Sequence, residues 1–331
     1  MKDILEYLFD FNKLDYNESK KILIDINSNK YSNSEIASFI TAYKMRNPSI
    51  NEMEGFRDAL LELCLKINLN EFDTVDLCGT GGDGKDTFNI STLASFVTAG
   101  SGIKVAKHGN YGVSSGCGSS NVLEFLGIKF SNDGDFLKRC IDEAGICNLH
   151  APLFHPAMKN IAPIRRELGV KTFFNMLGPL VNPAYPKYQL TGVFNLELAR
   201  IYGYLFQNSK QHFTILFSLD GYDEISLTGP TKAIRNKGEF IIDASDFGIH
   251  SLKAEAISGG SNIPSSAAIF TKVLEGKGSE AQNNVVCANA AMAIATVTDC
   301  NPKEGFEKAK ESLLSGKANK AFKKLQKLSA T

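Results

Sequence analysis

A glycine-rich segment, Gly79-Thr80-Gly81-Gly82-Asp83-Gly84, follows the strand candidate Thr74–Cys78 and precedes a helix predicted to begin at Asn89 to Ser91. Exposed loop N–H groups and a helix N-terminus attract anions, and the hydroxyls of Ser91 and Thr92 add hydrogen-bond donors. The segment therefore predicts a site for a phosphorylated ligand. The alternative is an ordinary turn between a strand and a helix.

Two familiar nucleotide-binding signatures fit this loop incompletely. Gly79, Gly81 and Gly84 match the dinucleotide fingerprint, but Lys107 and His108 stand where that fingerprint needs a ribose-binding acid. Lys85 completes most of a P-loop pattern, but Asp86 replaces the hydroxyl residue that binds Mg²⁺. The sequence favours neither of these two families.

A second polar segment, residues 107–115, follows the strand candidate Ile103–Ala106. It combines a cation, an imidazole, an amide and two hydroxyl groups, and Ser119 lies shortly after it. The carboxyl ends of parallel strands share one sheet edge, so two such loops predict a ligand with several anionic groups. A surface loop that is merely polar is the alternative.

Two further groups of residues complete the candidate chemistry. Asp223 and Glu224 follow the strand candidate Phe213–Leu219, and paired carboxylates suit Mg²⁺, although acids in a turn are often only solvated. His155 lies in a proline-bounded loop before a helix that carries Arg165, whose guanidinium is shaped to bind a carboxylate. Pairing of Arg165 with Glu167 or with solvent is the alternative.

The elements that position these residues follow from periodicity. Three capping boxes, Asp15 with Glu18, Ser32 with Glu35 and Ser49 with Glu52, predict helices over the first ~70 residues. Further strands are expected at 190–194 and 239–242, and helices at 285–297 and 304–328. We therefore predict a small helical domain at 1–70 and a larger α/β domain at 71–331 with a mainly parallel central sheet.

Composition restricts the possible partners. Lys and Arg total 36, as do Asp and Glu, so no net charge attracts nucleic acid or anionic lipid. No apolar run is long enough to span a membrane, and acids near the start argue against a secretory signal, so a cytoplasmic location is expected. Seven scattered cysteines without a C-x-x-C pair argue against a zinc site or a disulfide framework.

Taken together, these motifs resemble the anthranilate phosphoribosyltransferases over nearly the whole chain. The blocks that carry the resemblance are Gly79–Thr92, Lys107–Ser115, His155–Lys159, Arg165–Gly169, Phe174–Ala184 and Asp223-Glu224. The resemblance implies a nucleoside phosphorylase-like phosphoribosyltransferase architecture. It also implies transfer of phosphoribose from PRPP to anthranilate in tryptophan biosynthesis, with two Mg²⁺ ions and a homodimer formed through the helical domain, which also belongs to the hinge.

The resemblance also implies site residues by position. PRPP would contact Gly79, Gly82, Asp83, Thr87, Asn89, Ile90, Ser91, Thr92, Lys107, His108, Gly109, Asn110, Tyr111, Gly112, Val113, Ser114, Ser115 and Ser119. Anthranilate would contact Gly79, Asn110, His155 and Arg165, and the metal would contact Ser91, Asp223 and Glu224. The catalytic residues would be His108, Asn110 and Arg165.

Two positions depart from the family pattern. Tyr111 stands where the family commonly has Arg, and Asn121 stands where it commonly has Asp, so each position lacks a charge. An Arg missing beside the anion site predicts weaker PRPP binding or a divergent acceptor. A nucleoside phosphorylase of related fold and a non-catalytic protein that binds a phosphorylated ligand are the alternatives.

Overall fold

The computed structural model describes residues 1–112 and 117–330. The helices are α1 (Lys2–Phe9), α2 (Tyr16–Asn27), α3 (Asn33–Met45), α4 (Ile50–Leu63), α5 (Ile90–Gly100), α6 (Ser119–Phe125), α7 (Gly134–Ala144), α8 (Ala151–Phe154), α9 (Met158–Leu168), α10 (Leu196–Gln207), α11 (Ile263–Leu274), α12 (Glu280–Thr298), α13 (Pro302–Leu314) and α14 (Lys317–Ala330). The strands are β1 (Thr74–Leu77), β2 (Lys104–Gly109), β3 (Ile146–His150), β4 (Tyr188–Gly192), β5 (His212–Ser218), β6 (Thr231–Arg235) and β7 (Gly238–Ile242).

The chain divides into a helical unit, residues 1–66 and 151–183, and an α/β unit, residues 67–150 and 184–331. The structure thus differs from the expected domains 1–70 and 71–331, because residues 151–183 interrupt the α/β part and lie with the first helices. Aromatic packing explains the difference. Phe173 stacks on Phe56 with 4.6 Å between the ring centroids and also meets Phe39 edge-on at 6.1 Å.

Within the helical unit, the three predicted capping boxes are confirmed at the starts of α2, α3 and α4. Each N-cap side chain accepts a hydrogen bond from the third helical N–H, and the carboxylate of the Glu at that position accepts one from the N-cap N–H. Glu52 has a second role besides capping α4, because its buried carboxylate also forms an ion pair with Arg46 at 2.6 Å.

The α/β unit is built on a seven-stranded sheet in the order β3-β2-β1-β4-β5-β6-β7. The pairings from β3 through β5 are parallel, and β6 and β7 add to one side as antiparallel strands. The predicted mainly parallel sheet is therefore confirmed. β1 lies between β2 and β4, which is the point where the strand order reverses and where ligands of open α/β sheets usually bind.

Several local expectations were wrong. His150, which we expected to share the proline-bounded loop with His155, belongs to β3, and α8 follows it directly. The helix expected over 304–328 is two helices, α13 and α14, because Gly316 between them has a φ of +79°. Among the described residues, no helix is both long and apolar enough to cross a membrane.

Candidate functional site

The glycine-rich segment leaves the carboxyl end of β1 and leads to α5. Gly81, Gly82 and Gly84 have φ values of +62°, +82° and +75°, a backbone region that residues with a Cβ disfavour. At Gly79 a Cβ atom would lie 2.9 Å from the Asp223 Oδ2 atom. The loop therefore needs glycine both for its own path and for its close approach to a carboxylate.

Asp223 and Glu224 lie in the segment after β5 and reach the glycine loop and the first turn of α5. The N–H of Gly81 donates a hydrogen bond of 2.6 Å to Asp223 Oδ2, and the N–H of Ser91 donates one of 2.8 Å to Glu224 Oε1. The structure thus brings together Ser91, Asp223 and Glu224, the three residues predicted to bind metal.

Burial and repulsion determine the charge of this carboxylate pair. The pKa of Asp223 is raised well above its ordinary value, first because the group is desolvated and then because Glu224 and Asp83 lie nearby. Desolvation also raises the pKa of Glu224 to about 7, although the hydrogen bond from Ser91 opposes this change. A cation bound between the two carboxylates would relieve both effects.

The donor set fits Mg²⁺. Two carboxylates and the Ser91 hydroxyl are hard oxygen ligands, and protein-bound Mg²⁺ usually has one or two carboxylates with phosphate oxygens and waters. Within residues 1–112 and 117–330, no group of three or more His, Cys, Asp and Glu could hold a metal ion. The remaining coordination positions would therefore belong to water and to the ligand.

The raised pKa of Glu224 predicts a pH-dependent stability. Between about pH 4.5 and pH 7 the folded protein binds the Glu224 proton and the unfolded chain does not, so the free energy of unfolding falls as pH rises through this window. Glu224→Gln removes the contribution of Glu224 to this dependence and leaves that of Asp223. In urea titrations without divalent cations, we expect the variant to match the parent near pH 4.5 and to exceed it by about 3 kcal/mol at pH 8. A stability difference that is constant with pH would contradict this account.

At the end of β2, Lys107 and His108 are strand residues with buried side chains. The Lys107 ammonium donates to the carbonyl oxygen of Leu77 at the end of β1, and its charge slightly opposes the rise that desolvation causes in the pKa of Glu224. The N–H of His108 donates to the Asp76 Oδ1 atom at 3.0 Å. These two residues therefore fix the end of β2 against β1.

The segment after β2 is held by amide side chains. Asn110 accepts a hydrogen bond from the N–H of Tyr111 at 2.8 Å, and Ser119 donates from its hydroxyl to the Asn110 carbonyl at 3.2 Å. Asn121 Oδ1 accepts from the N–H groups of Gly112 and Gly118, both at 3.0 Å. Asn121 thus provides the acceptor that an Asp oxygen would provide, without its charge. Val113, Ser114 and Ser115 lie outside the described residues.

Tyr111 points to α6 and β3. Its hydroxyl donates to a Glu124 carboxylate oxygen at 3.3 Å, and its ring meets the His150 ring edge-on with 4.7 Å between centroids.

The other predicted PRPP residues lie around the start of α5. The side chains of Ile90 and Thr92 are buried, so the Thr92 hydroxyl is not presented at the surface. Asn89 donates to the Cys117 carbonyl, and Thr87 forms a bridge with Ser258.

The predicted anthranilate residues are divided between the units, with Gly79 and Asn110 in the α/β unit and His155 and Arg165 in the helical unit. Arg165 donates from Nη2 to Asn175 Oδ1 at 3.2 Å, and its guanidinium lies 5.5 Å from the Phe174 ring centroid. Burial lowers the pKa of His155 to about 4, so its imidazole is neutral at pH 7.

Sequence reasoning missed three residues that hold the carboxylate pair. Ser218 donates from its hydroxyl to the Glu224 carbonyl at 2.6 Å. A Cβ atom at Gly192 would lie 1.5 Å from the Asp223 carbonyl oxygen, and Asn289 bonds to the backbone of Ile225. A signal existed for Asn289, because it is the only polar residue in the apolar run from Val285 to Ala295.

Both parts of the chain match known family models. Residues 2–64 match the glycosyl transferase family, helical bundle domain, and residues 71–319 match the glycosyl transferase family, a/b domain. Among similar proteins, the anthranilate phosphoribosyltransferase of Flavobacterium psychrophilum is 67% identical over 99% of this chain and 100% of its own length. That of Bacteroides fragilis is 49% identical over 99% of both chains.

Solved structures agree with these matches. The anthranilate phosphoribosyltransferase of Thermus thermophilus has a TM-score of 0.91 at 29% identity and covers 99% of both chains. The Saccharomyces cerevisiae enzyme in complex with PRPP and Mg has a TM-score of 0.91 at 27% identity, covering 98% of this chain and 96% of its own. The resemblance in the motifs is confirmed, and the chain belongs to the anthranilate phosphoribosyltransferase family.

Proposed function

We propose that this protein transfers the 5-phosphoribosyl group of PRPP to the amino group of anthranilate, giving N-(5-phosphoribosyl)anthranilate and pyrophosphate in tryptophan biosynthesis. One observation carries the proposal at the atomic level. A glycine loop and a helix N-terminus, both suited to anions, meet a buried carboxylate pair suited to a divalent cation. A polyanionic substrate that binds as its Mg²⁺ complex matches this combination. The similar proteins are named for the same activity.

Asp223, Glu224 and Ser91 would hold Mg²⁺, and we propose two ions for the complete complex. Bound Mg²⁺ supplies neutralisation of the charge that grows on the departing pyrophosphate. The loop amides from Gly79 to Gly84 and the first turn of α5 bind and orient phosphate oxygens. The buried Lys107 lies beside the same strand ends and fixes β2 against β1 through its hydrogen bond to the Leu77 carbonyl.

On the acceptor side, we propose that Arg165 binds the anthranilate carboxylate with two parallel hydrogen bonds. Asn175 and Phe174 already restrict the guanidinium on one side and over one face. His155, neutral because of burial, provides an apolar wall and a hydrogen-bonding edge for an aromatic acid. We propose His108 and Asn110 as the other two catalytic residues. His108 lies at the end of β2, and Asn110 begins the segment that follows this strand.

This division of roles explains why no nucleophile and base pair is required. An aromatic amine is already unprotonated at pH 7, so the reaction depends on positioning the amine at C1 of the ribose and on charge neutralisation. Each proposed residue serves one of these two needs.

We also propose that the protein is a homodimer formed through its helical unit. Around the end of α1, Tyr7, Phe9 and Phe11 leave 44%, 57% and 68% of their areas exposed. Neighbouring exposed aromatic residues are typical of surfaces that another protein covers, and a second copy is the commonest partner. Light scattering coupled to size exclusion measures the oligomeric state directly.

The decisive experiment for the reaction follows the loss of anthranilate fluorescence in the presence of PRPP, Mg²⁺ and the protein. Turnover that stops with a chelator and restarts with Mg²⁺ is the expected result. No turnover would sink the proposal. A parallel incubation of nucleosides with inorganic phosphate tests the phosphorylase alternative, and a series of other aromatic amines tests whether Tyr111 accompanies a different acceptor.

A further inference from the structure

The backbone that carries the two proposed metal-binding carboxylates is clamped by a buried amide from another element. Asn289 lies on α12 and is 3% exposed. Its Oδ1 accepts a hydrogen bond from the N–H of Ile225 at 3.0 Å, and its Nδ2 donates to the carbonyl of the same residue at 2.8 Å. A third bond, 2.9 Å, joins Nδ2 to the Val285 carbonyl.

This arrangement uses the side-chain amide as a substitute for a neighbouring strand. Ile225 follows β5 and precedes β6, so strand pairing supplies no partner for its buried N–H and C=O groups. Buried backbone groups need partners, and Asn289 satisfies both with one side chain. The bonds also fix which end of the amide is the oxygen, because the reversed amide would place its NH₂ group against the Ile225 N–H.

The position of Ile225 determines that of Glu224, the residue before it. The sheet holds the same segment from the opposite side. The Glu224 carbonyl accepts a hydrogen bond from the Ser218 hydroxyl, and the Asp223 carbonyl lies so close to Gly192 that a side chain at position 192 would not fit. Ser218 and Gly192 belong to strands of the sheet, whereas Asn289 ties the backbone of the segment to helix α12. α12 packs directly on α5, whose Ser91 N–H holds the Glu224 carboxylate.

Asn289 also borders the site itself. A cavity of about 20 Å³ lies between the carboxylates and the strand ends, and its lining includes Gly79, Ser91, Asp223, Glu224 and Asn289. The room corresponds to about one water molecule. A shift of the Ile225 backbone would therefore change the shape of the space beside the carboxylates.

We propose that Asn289 is a positioning residue for the metal site, acting through the Ile225 backbone to hold Asp223 and Glu224 in the geometry that binds the divalent cation. The inference rests on the proposed function through the metal role of that pair. Groups that orient metal ligands from behind commonly change metal affinity by about 10- to 100-fold when they are removed.

The test replaces Asn289 with Leu, which has a similar size and no hydrogen bonds, and with Ala, which leaves room for waters to bond Ile225. Asn284→Ala, on the same helix and away from these contacts, is the matched control. Mn²⁺ binding is measured by electron paramagnetic resonance with PRPP present and anthranilate absent, so that no turnover is needed. Asp223→Asn with Glu224→Gln serves as the reference that lacks the metal ligands.

For Asn289→Leu we expect the Mn²⁺ dissociation constant to rise by about 10- to 100-fold, with a smaller rise for Asn289→Ala and none for Asn284→Ala. The KM for anthranilate should stay unchanged, and excess Mg²⁺ should restore most of kcat. Unchanged Mn²⁺ affinity, a kcat that stays low at every Mg²⁺ concentration, or failure of both variants to fold would each overturn the positioning role. Parent protein that binds Mn²⁺ but does not turn over would contradict the proposed reaction and leave the Asn289 measurement valid.

Discussion

Replacing Asp223 with Asn and Glu224 with Gln together is expected to lower kcat/KM by about 10²- to 10³-fold, because preorganised charge stabilisation of a departing group is commonly worth this much. The variant keeps the shape of both side chains, and their oxygens can still accept from Gly81 and Ser91. The raised pKa values show that the folded protein bears a cost for the two charges. The thermal stability of the variant without Mg²⁺ should therefore equal or exceed that of the parent at pH 8.

Kinetics at several Mg²⁺ concentrations and thermal unfolding with and without Mg²⁺ check this prediction. The matched control is Asp135→Asn with Glu307→Gln, which removes one Asp and one Glu from exposed helix positions of the same unit. It should leave both measurements unchanged. A rate that survives in the site variant at limiting Mg²⁺ would exclude the metal role of the pair.

The second large effect is expected at Arg165. Arg165→Ala should lower kcat/KM for anthranilate by about 10²-fold, since hydrogen bonds to a charged group contribute about 1.5–3 kcal/mol. The kcat/KM of Arg165→Lys should lie between those of Arg165→Ala and the parent, because an ammonium keeps the positive charge but cannot form the two parallel hydrogen bonds. The KM for PRPP should hardly change.

Two comparisons make the Arg165 measurement specific. Arg166→Ala removes a neighbouring exposed guanidinium and should behave as the parent protein does. An aromatic amine that lacks a carboxylate should react equally slowly with the parent and with Arg165→Ala. If the Arg165 variants lose rate equally with both acceptors, the carboxylate contact is disproved.

The parts of the site that sequence could predict are those in which residue types and linear spacing carry the chemistry. The glycine loop, the pair Asp223-Glu224 and the three capping boxes depend on neighbours in the chain, and the structure brings the predicted metal ligands together. The sheet class followed for the same reason, since the short strand β1 and the apolar run of β5 are each bounded by turns.

The missed parts depend on contacts between distant residues. β3 contains Asn148 and His150, whose polarity hides the strand pattern, although the sheet buries both. The place of residues 151–183 depends on the packing of Phe173 against rings from α3 and α4, which no local pattern encodes. For Asn289 the apolar run around it marks the residue as unusual, but its partner Ile225 lies 64 positions earlier and has no signal of its own.

The interrupted path of the chain has a consequence for how the protein folds as it is synthesised. Residues 1–66 leave the ribosome first, but Phe173, which completes their aromatic core, emerges after β1, β2 and β3. Closing that core brings together segments separated by more than a hundred residues, an entropic cost that local helix formation does not carry. Phe39 and Phe56 therefore stay incompletely covered until Phe173 has been synthesised. The N-terminal helices reach their final packing only after β1, β2 and β3 have been made.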